Sequence, residues 1–525
     1  YGRNGIQAPS RPGTPSTPVD KRPLVTCAIW RFHPRDHRFE VVAEGTTNPW
    51  GHDWDEHGQL FFINTVIGHL WHAPFGAHFE RMYGEDSNPY TYELIEQTAD
   101  HVHWDAGAES WTAQRNGVSA GTDKAGGGHA HSGLLIYQGG LMPELRGKML
   151  TVNLHGRRLN VDRLERHGAT YVGKHDEDFL RFGDPYFRGL DLSTGPDGAI
   201  YLIDWSDIGE CHDNDGIHRT SGRIYRITSD AAPPAPRFVP FSERNVLDVV
   251  ASMAEHGRVI PVLQHLRQGV SKEDQAKLRG YADSITAKNR SGDGAEVQRL
   301  RAKWILAAAG ILNAADIAEM ATDANEHLRV WAVRFACEGG VAENELPAWL
   351  EKVVTKESSG LVLVEIASAL QRLPAGERWK IAAHLVNRGE FAGDRVFPLM
   401  VWYGVESAVP QSPKDAAQLI KTSKLPIVTQ FIARRLGDEI PRRPSAAEPL
   451  MEVAASDAVT AETRRLILTG LRQGLEGVHR APQPSAWSAL MTKCSTEAEN
   501  RDLASEIATI FGEGRAIDAL RAVVQ

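Results

Sequence analysis

Residues 189–228 lay down short β-prone runs separated by tight turns. Leu190 to Ser193 and Ala199 to Asp204 read as strands around the turn Pro196-Asp197-Gly198, and Arg223 to Thr228 closes the group. The same order occurs earlier. Gly51-His52-Asp53-Trp54 matches Gly189-Leu190-Asp191-Leu192, Gln59 to Asn64 matches Ala199 to Asp204, and Gly68 to Trp71 matches Gly222 to Tyr225. A looser copy runs through Ser132 to Leu164. A four-strand unit repeated at this spacing must stack its faces on copies of itself, which is how a β-propeller reads in sequence. An antiparallel sandwich with recurrent glycine turns is the alternative. About four units are visible, fewer than the six to eight blades that close most such propellers, so a partial propeller is expected over 1–231.

The loops carry more chemistry than connectors need. Between Trp205 and Ser221 stand Asp207, Glu210, Cys211, His212, Asp213, Asp215 and His218. Glu210, His212, Asp213, Asp215 and His218 form a candidate metal set, for calcium if carboxylates and carbonyls bind, or for a transition metal if the histidines join. Gly126-Gly127-Gly128-His129-Ala130-His131 combines a permissive backbone with two histidines on one side of an extended chain, which suits His129 or His131 as a proton acceptor. The turn His155-Gly156-Arg157-Arg158 is basic, and Arg157 is either an anion clamp or a solvated side chain. Ala73 to Asp105, with the cluster Asp100-His101-Val102-His103-Trp104, shows no period; it heads an insertion, 73–124, over one face of the sheets.

After Ser242 the period changes. Ala- and Leu-rich segments such as Val297 to Ala309, Leu328 to Cys337 and Leu361 to Leu373 have helical spacing, with short Gly- or Pro-containing connectors. Residues 242–525 therefore read as an α-solenoid of HEAT or armadillo type, joined to the β part by the Pro-rich linker 232–241; a single helical bundle is the alternative. Its surface is a candidate protein-binding face. The net charge of −9 argues against nucleic acid as a partner, and no apolar run reaches the length of a membrane span. Four scattered cysteines imply no disulfide framework, and no haem-attachment motif is present. Sixteen of the 21 histidines precede residue 240, which puts the expected chemistry in the β half.

Through Asn48 to Trp71, Gly126 to Asn160 and Phe187 to Ile227, and again at Leu399 to Glu406 and Gln430 to Arg435, the chain resembles the PVC-type membrane-bound dehydrogenase-like proteins. These are exported proteins of Planctomycetes and their relatives. Their propeller is similar to that of glucose and sorbosone dehydrogenases, which use pyrroloquinoline quinone. The resemblance implies a periplasmic or otherwise exported protein that oxidises a carbohydrate or related hydroxyl by hydride transfer to quinone, with calcium as a further cofactor and no haem site here. A non-catalytic module that binds a carbohydrate or protein is the alternative. On the enzyme reading, His129 or His131 is the base and Arg157 and Arg188 clamp an anion. Asn48, His52, Asp53, His155 and Asp207 line the site, and Asp191 or Asp204 orients the base. Asn48-Pro49-Trp50-Gly51 keeps most of the enzymes' Arg-Asn-Pro-x-Gly turn, with Thr47 in the arginine's place. The missing blades imply part of a longer protein.

Overall fold

The computed structural model describes residues 6–7, 24–25, 27–33, 38–209, 220–230, 239–289, 292 and 294–512. Strands β1 (Ile6–Gln7) and β2 (Leu24–Val25) pair, and β3 (Ala28–His33) forms an antiparallel hairpin with β4 (Arg38–Gly45). A second sheet runs β5 (Pro49–Trp54), β6 (Leu60–Asn64), β7 (Trp71–His72), and β8 (Ala77–Phe79) returns to lie parallel to β4. The short helix α1 (Ala120–Ala125) begins at Ser119, whose side chain accepts from Thr122 N–H. Strands β9 (His131–Ile136), β10 (Met149–Asn153), β11 (Arg158–His167) and β12 (Thr170–His175) make an antiparallel sheet, and β13 (Leu180–Arg181) pairs with the start of β11. The last sheet is β14 (Gly189–Thr194), β15 (Ile200–Asp204), β16 (Arg223–Ile227).

Three of these sheets repeat one plan. The leading strands β5, β9 and β14 lie side by side, and each carries one extra residue where it pairs with the next strand: Trp50, Gly133 and Leu190. Glycine permits the approach. A Cβ on Gly51 would sit 2.7 Å from Leu134 N, and one on Gly133, at φ +61°, 2.8 Å from Asp191 Cα. Each second strand ends in a buried amide or carboxylate that holds backbone. Asn64 Oδ1 accepts from Asn48 N (2.6 Å), Asn153 Oδ1 from Gly156 N (2.9 Å), and Asp204 Oδ1 from Arg188 N (2.9 Å) and Ser206 N (2.8 Å). Leu135, Tyr137, Leu150, Val152, Phe187, Leu192 and Leu202 fill the space between the last two sheets.

The run of helices that follows the last sheet opens with α2 (Val246–His256), capped by Asn245, close to where the sequence changes period. Most of the expected linker, residues 232–238, lies outside the described residues. The compact units divide elsewhere, into 1–87 with 96–335, and 88–95 with 336–525. The reason is visible in α3 (Val259–Arg267), α4 (Lys272–Lys288), α5 (Ala295–Ala308), α6 (Ala314–Met320) and α7 (Glu326–Phe335). Trp331 Nε1 donates to His57 O (2.7 Å), Arg334 to Gly58 O (2.8 Å), and the His57 and His327 rings stack at 3.7 Å. The β5–β6 turn is thus seated on α5 and α7, and a Cβ on Gly58 would strike the indoles of Trp304 and Trp331.

The second unit is helical, from Leu346–Val354 to Ala498–Ile510. It includes the segment 88–95, which packs on the two stretches Leu399 to Glu406 and Gln430 to Arg435. Trp402 Nε1 donates to Tyr90 O (2.9 Å), Tyr403 Oη to Glu93 O (2.7 Å), and the Arg435 and Arg434 guanidinium groups lie over Tyr90 and Tyr92 at 3.7 and 4.0 Å.

Candidate functional site

The loops at one end of the three repeated sheets surround a cavity of about 250 Å³. Equivalent positions supply much of its wall: Thr65, Leu154 and Trp205, each following the terminal Asn or Asp of a second strand, and Asn48, Ala130 and Arg188 from the approach to each leading strand. Val66 and Ser206, two residues beyond Asn64 and Asp204, both hold positive φ (96° and 59°), an uncommon conformation for a side-chain-bearing residue and a costly one for a β-branched one. The wall is aromatic. Trp50, Trp205 and Tyr83, exposed by 38, 44 and 55%, meet Trp111 and Met82 there, a concentration of wet aromatic surface.

His129 stands in this wall with its tautomer set. Its backbone N–H and its Nδ1 both face the buried Gln114 Oε1 at 2.9 Å, so Nδ1 carries the proton and Nε2 is the basic nitrogen. His131 is placed differently from a base. Its Nδ1 donates to His129 O (3.1 Å) and its Nε2 faces His103 Nδ1 at 2.8 Å, so both ring nitrogens serve structure, and burial holds its pKa well below the ordinary histidine value. Arg188 also lines the cavity, but its guanidinium donates to the carbonyls of Gly209, Pro185, Phe187 and Ile208, an occupation unsuited to clamping an anion.

The remaining expected residues do not join Asn48, His129, His131 and Arg188. His52, Asp53 and Asp191 face a second cleft of about 630 Å³ at the opposite end of the leading strands. His155 lies behind His129, ring centroids 4.9 Å apart. Arg157 is a turn residue at φ +48°, outside the cavity wall, while its neighbour Arg158 is the buried one, ion-paired with Asp123 and with Asp178 (2.9 Å). Asp204 and Asp207 hold backbone, the latter through Ile208 and Gly209 N–H and Trp205 Nε1. Glu210, His212, Asp213, Asp215 and His218 lie outside the described residues.

A second grouping escaped the sequence reading. His69, His101, His103 and Asp162 bring one nitrogen or oxygen each to within 4.8 Å of one another. His69 precedes β7, His101 and His103 come from the insertion, and Asp162 from the middle of β11. The carboxylate is fully buried, with His69 Nε2 at 3.2 Å from one oxygen and His101 Nε2 and His103 Nε2 at 3.0 and 3.9 Å from the other. Burial alone would raise the Asp162 pKa, yet the facing imidazoles hold it well below the usual carboxylate range. Burial pushes His69 down and His103 well down, whereas the Asp162 and Asp100 carboxylates outweigh burial and raise His101. The sequence signal was the pair His101-x-His103 in a stretch without period.

The resemblance implies pyrroloquinoline quinone and calcium as cofactors. Pyrroloquinoline quinone is a tricarboxylate; among the described lining residues the cations are Arg188, committed to carbonyls, and Arg115, which lies over Trp111 at 5.4 Å. Thr47 Oγ1, in the arginine's place, accepts from Met82 N–H (2.8 Å). No carboxylate lines the cavity among the described residues, and the candidate calcium ligands Glu210, Asp213 and Asp215 lie outside them. These residues do not fit the quinone. Residues 1–231 match a family described as a domain of unknown function (DUF7133). The match spans the β-rich part and ends before α2. No curated protein matches the chain.

Proposed function

We propose that the β-rich region is part of a β-propeller and that its loop-end cavity binds a carbohydrate ring, with the helical remainder a HEAT- or armadillo-type scaffold. The observation that carries this reading is the aromatic wall of Trp50, Trp111, Trp205 and Tyr83 around a cavity with Asn48 and His129 as polar contacts. Sugar rings present apolar C–H faces to aromatic planes and hydroxyls to a few fixed polar groups, and a site of this composition answers both. The side-by-side leading strands support the propeller architecture, and the resemblance supports carbohydrate as the ligand class and an exported location.

Calorimetry with neutral mono- and oligosaccharides tests the reading on the full chain. Trp111→Ala is expected to weaken saccharide binding about 10-fold, the value of one good aromatic contact. Absence of millimolar binding across the panel, or affinity unchanged in both Trp111→Ala and Trp205→Ala, would sink it. The second reading, oxidation, is favoured by the single tautomer that Gln114 imposes on His129. It predicts sugar-dependent dye reduction with added acceptor that His129→Gln abolishes while leaving saccharide affinity within about 3-fold.

A further inference from the structure

We infer that His69, His101, His103 and Asp162 form a binding site for one divalent first-row transition ion of the zinc class, and that this ion pins the insertion to the sheet. The argument begins with proton bookkeeping. His131 Nδ1 meets an acceptor, the His129 carbonyl, so it is protonated and neutral His131 presents a lone pair at Nε2. That lone pair faces His103 Nδ1 at 2.8 Å, so His103 carries its proton there and its Nε2 is bare. His101 Nδ1 faces Asp100 Oδ1 at 3.1 Å, which draws its proton to that side. The two bare nitrogens, His101 Nε2 and His103 Nε2, then point at each other across 3.2 Å, beside the Asp162 carboxylate. Such a gathering of lone pairs is filled either by a metal ion or by a second proton on His101, and the ligand set and spacing favour the metal.

The dimensions agree with a metal. Four ligands about 2.0–2.1 Å from a tetrahedral zinc stand about 3.3 Å from one another. Separations of 3.0, 3.2 and 3.9 Å run from the histidines to one or other Asp162 oxygen and 3.2 Å between His101 and His103, and one ligand atom from each of the four residues lies within 4.8 Å of the others. Asp162 Oδ1, fully buried, lies 3.0 Å from His101 Nε2. No lysine or arginine pairs with Asp162 among the described residues. Three imidazoles with one carboxylate suit zinc, iron(II), manganese(II) or cobalt(II) and disfavour calcium, which takes oxygen ligands. His131 on His103 and Asp100 on His101 supply the supporting hydrogen bonds that metal-bound histidines use to fix ring orientation.

The ligands come from three segments with no sheet pairing among them at these positions. His101 and His103 belong to the insertion, whose nearest strand-like tie to the β9–β12 sheet among the described residues is the bridge Ala99 to Gly173. A metal there would staple insertion to sheet, and with four protein donors the site is structural.

Metal analysis of the full chain after dialysis against zinc is expected to find about one equivalent per chain, falling below about a tenth in Asp162→Asn and in His101→Gln. Cobalt(II) substitution should give intense d–d absorption of a four-coordinate ion, and chelation should lower the melting temperature, restored by zinc. His175→Gln, whose ring packs on His101 at 5.3 Å and on His103 at 4.6 Å while its Nε2 faces Asp178, offers no ligand atom to the group and should retain the full equivalent. If the wild-type chain takes up no stoichiometric zinc or cobalt, the proposal fails and a His101 imidazolium paired with Asp162 occupies the centre. Wild-type uptake unchanged in both ligand variants would also overturn it. Should a variant not fold, the wild-type cobalt spectrum alone decides. Neither outcome depends on saccharide binding in the aromatic cavity.

Discussion

Asn153→Leu is expected to lower the stability of the β-rich unit by about 3 kcal/mol or more, read as a fall in the urea midpoint. Asn153 is fully buried at the end of β10. Its Oδ1 accepts from Gly156 N–H, and its Nδ2 faces Gly128 O at 2.9 Å, Asn160 Oδ1 at 3.0 Å and Gly126 O at 3.2 Å. Leucine nearly conserves the volume but strips partners from buried backbone groups, each costing about 1–3 kcal/mol. The loop it releases carries His129 and His131, so saccharide and zinc binding should weaken together. The equivalent positions sharpen the test. Asp204 shows that a carboxylate serves where only N–H groups must be held; Asn64 also donates from Nδ2 to Thr65 O (3.1 Å), so Asn64→Asp should cost about 1–2 kcal/mol, the loss at a single carbonyl. Asn153→Asp should cost nearly as much as leucine, because its oxygen would face two carbonyls. A loss below about 1 kcal/mol for Asn153→Leu would show that these carbonyls find other partners.

What sequence alone made legible follows from how local each feature is. The turn-strand units around Gly51, Gly133 and Gly189 were readable because strand period and turn chemistry are local, and so was the change of period before Val246. The unit boundary at Phe335 was not, since it depends on Trp304, Trp331 and Arg334 meeting a turn far earlier in the chain, 274 residues away for Trp331 and His57, and no spacing rule encodes that. Likewise Leu399 to Glu406 and Gln430 to Arg435 stood out as motifs, but only the fold shows that they cradle 88–95. At the site, the Gly126 to His131 loop was found by composition, whereas the choice between His129 and His131 turned on Gln114 and His103. Arg157 drew attention that belonged to Arg158, because adjacent residues on a tight turn point to opposite environments. The His69, His101, His103, Asp162 group is assembled from positions spread over more than ninety residues, so only the His-x-His pair was visible locally.

Asp53→Asn is expected to stabilise the protein progressively as pH rises, relative to the wild type. Asp53 lies on β5, and its carboxylate accepts from Trp54 N–H and, across to β9, from Ile136 N–H, both at 2.8 Å. Burial raises its pKa to about 7 against those two bonds, which favour the ionised form. The direction of the effect follows from proton counts. Below pH 3.8 both states hold the proton and the group contributes nothing. Between 3.8 and about 7 the unfolded chain has released it while the folded chain keeps it, so wild-type stability falls with pH; above about 7 both are ionised and the penalty is constant. At roughly 1.4 kcal/mol per unit, the ceiling is on the order of 4 kcal/mol, and because solvent reaches part of this side chain about half of that is the expected gain. Asparagine loses one acceptor, a cost independent of pH, so the difference between the two proteins across pH isolates the ionisation. Asp191, also raised by burial in the same cleft, is present in both proteins and its direct contribution cancels to first order. Urea midpoints at pH 4.5, 6, 7 and 8.5 should therefore diverge up to about pH 7 and then run parallel; midpoints that stay parallel throughout would mean that Asp53 ionises in the fold as readily as in the unfolded chain.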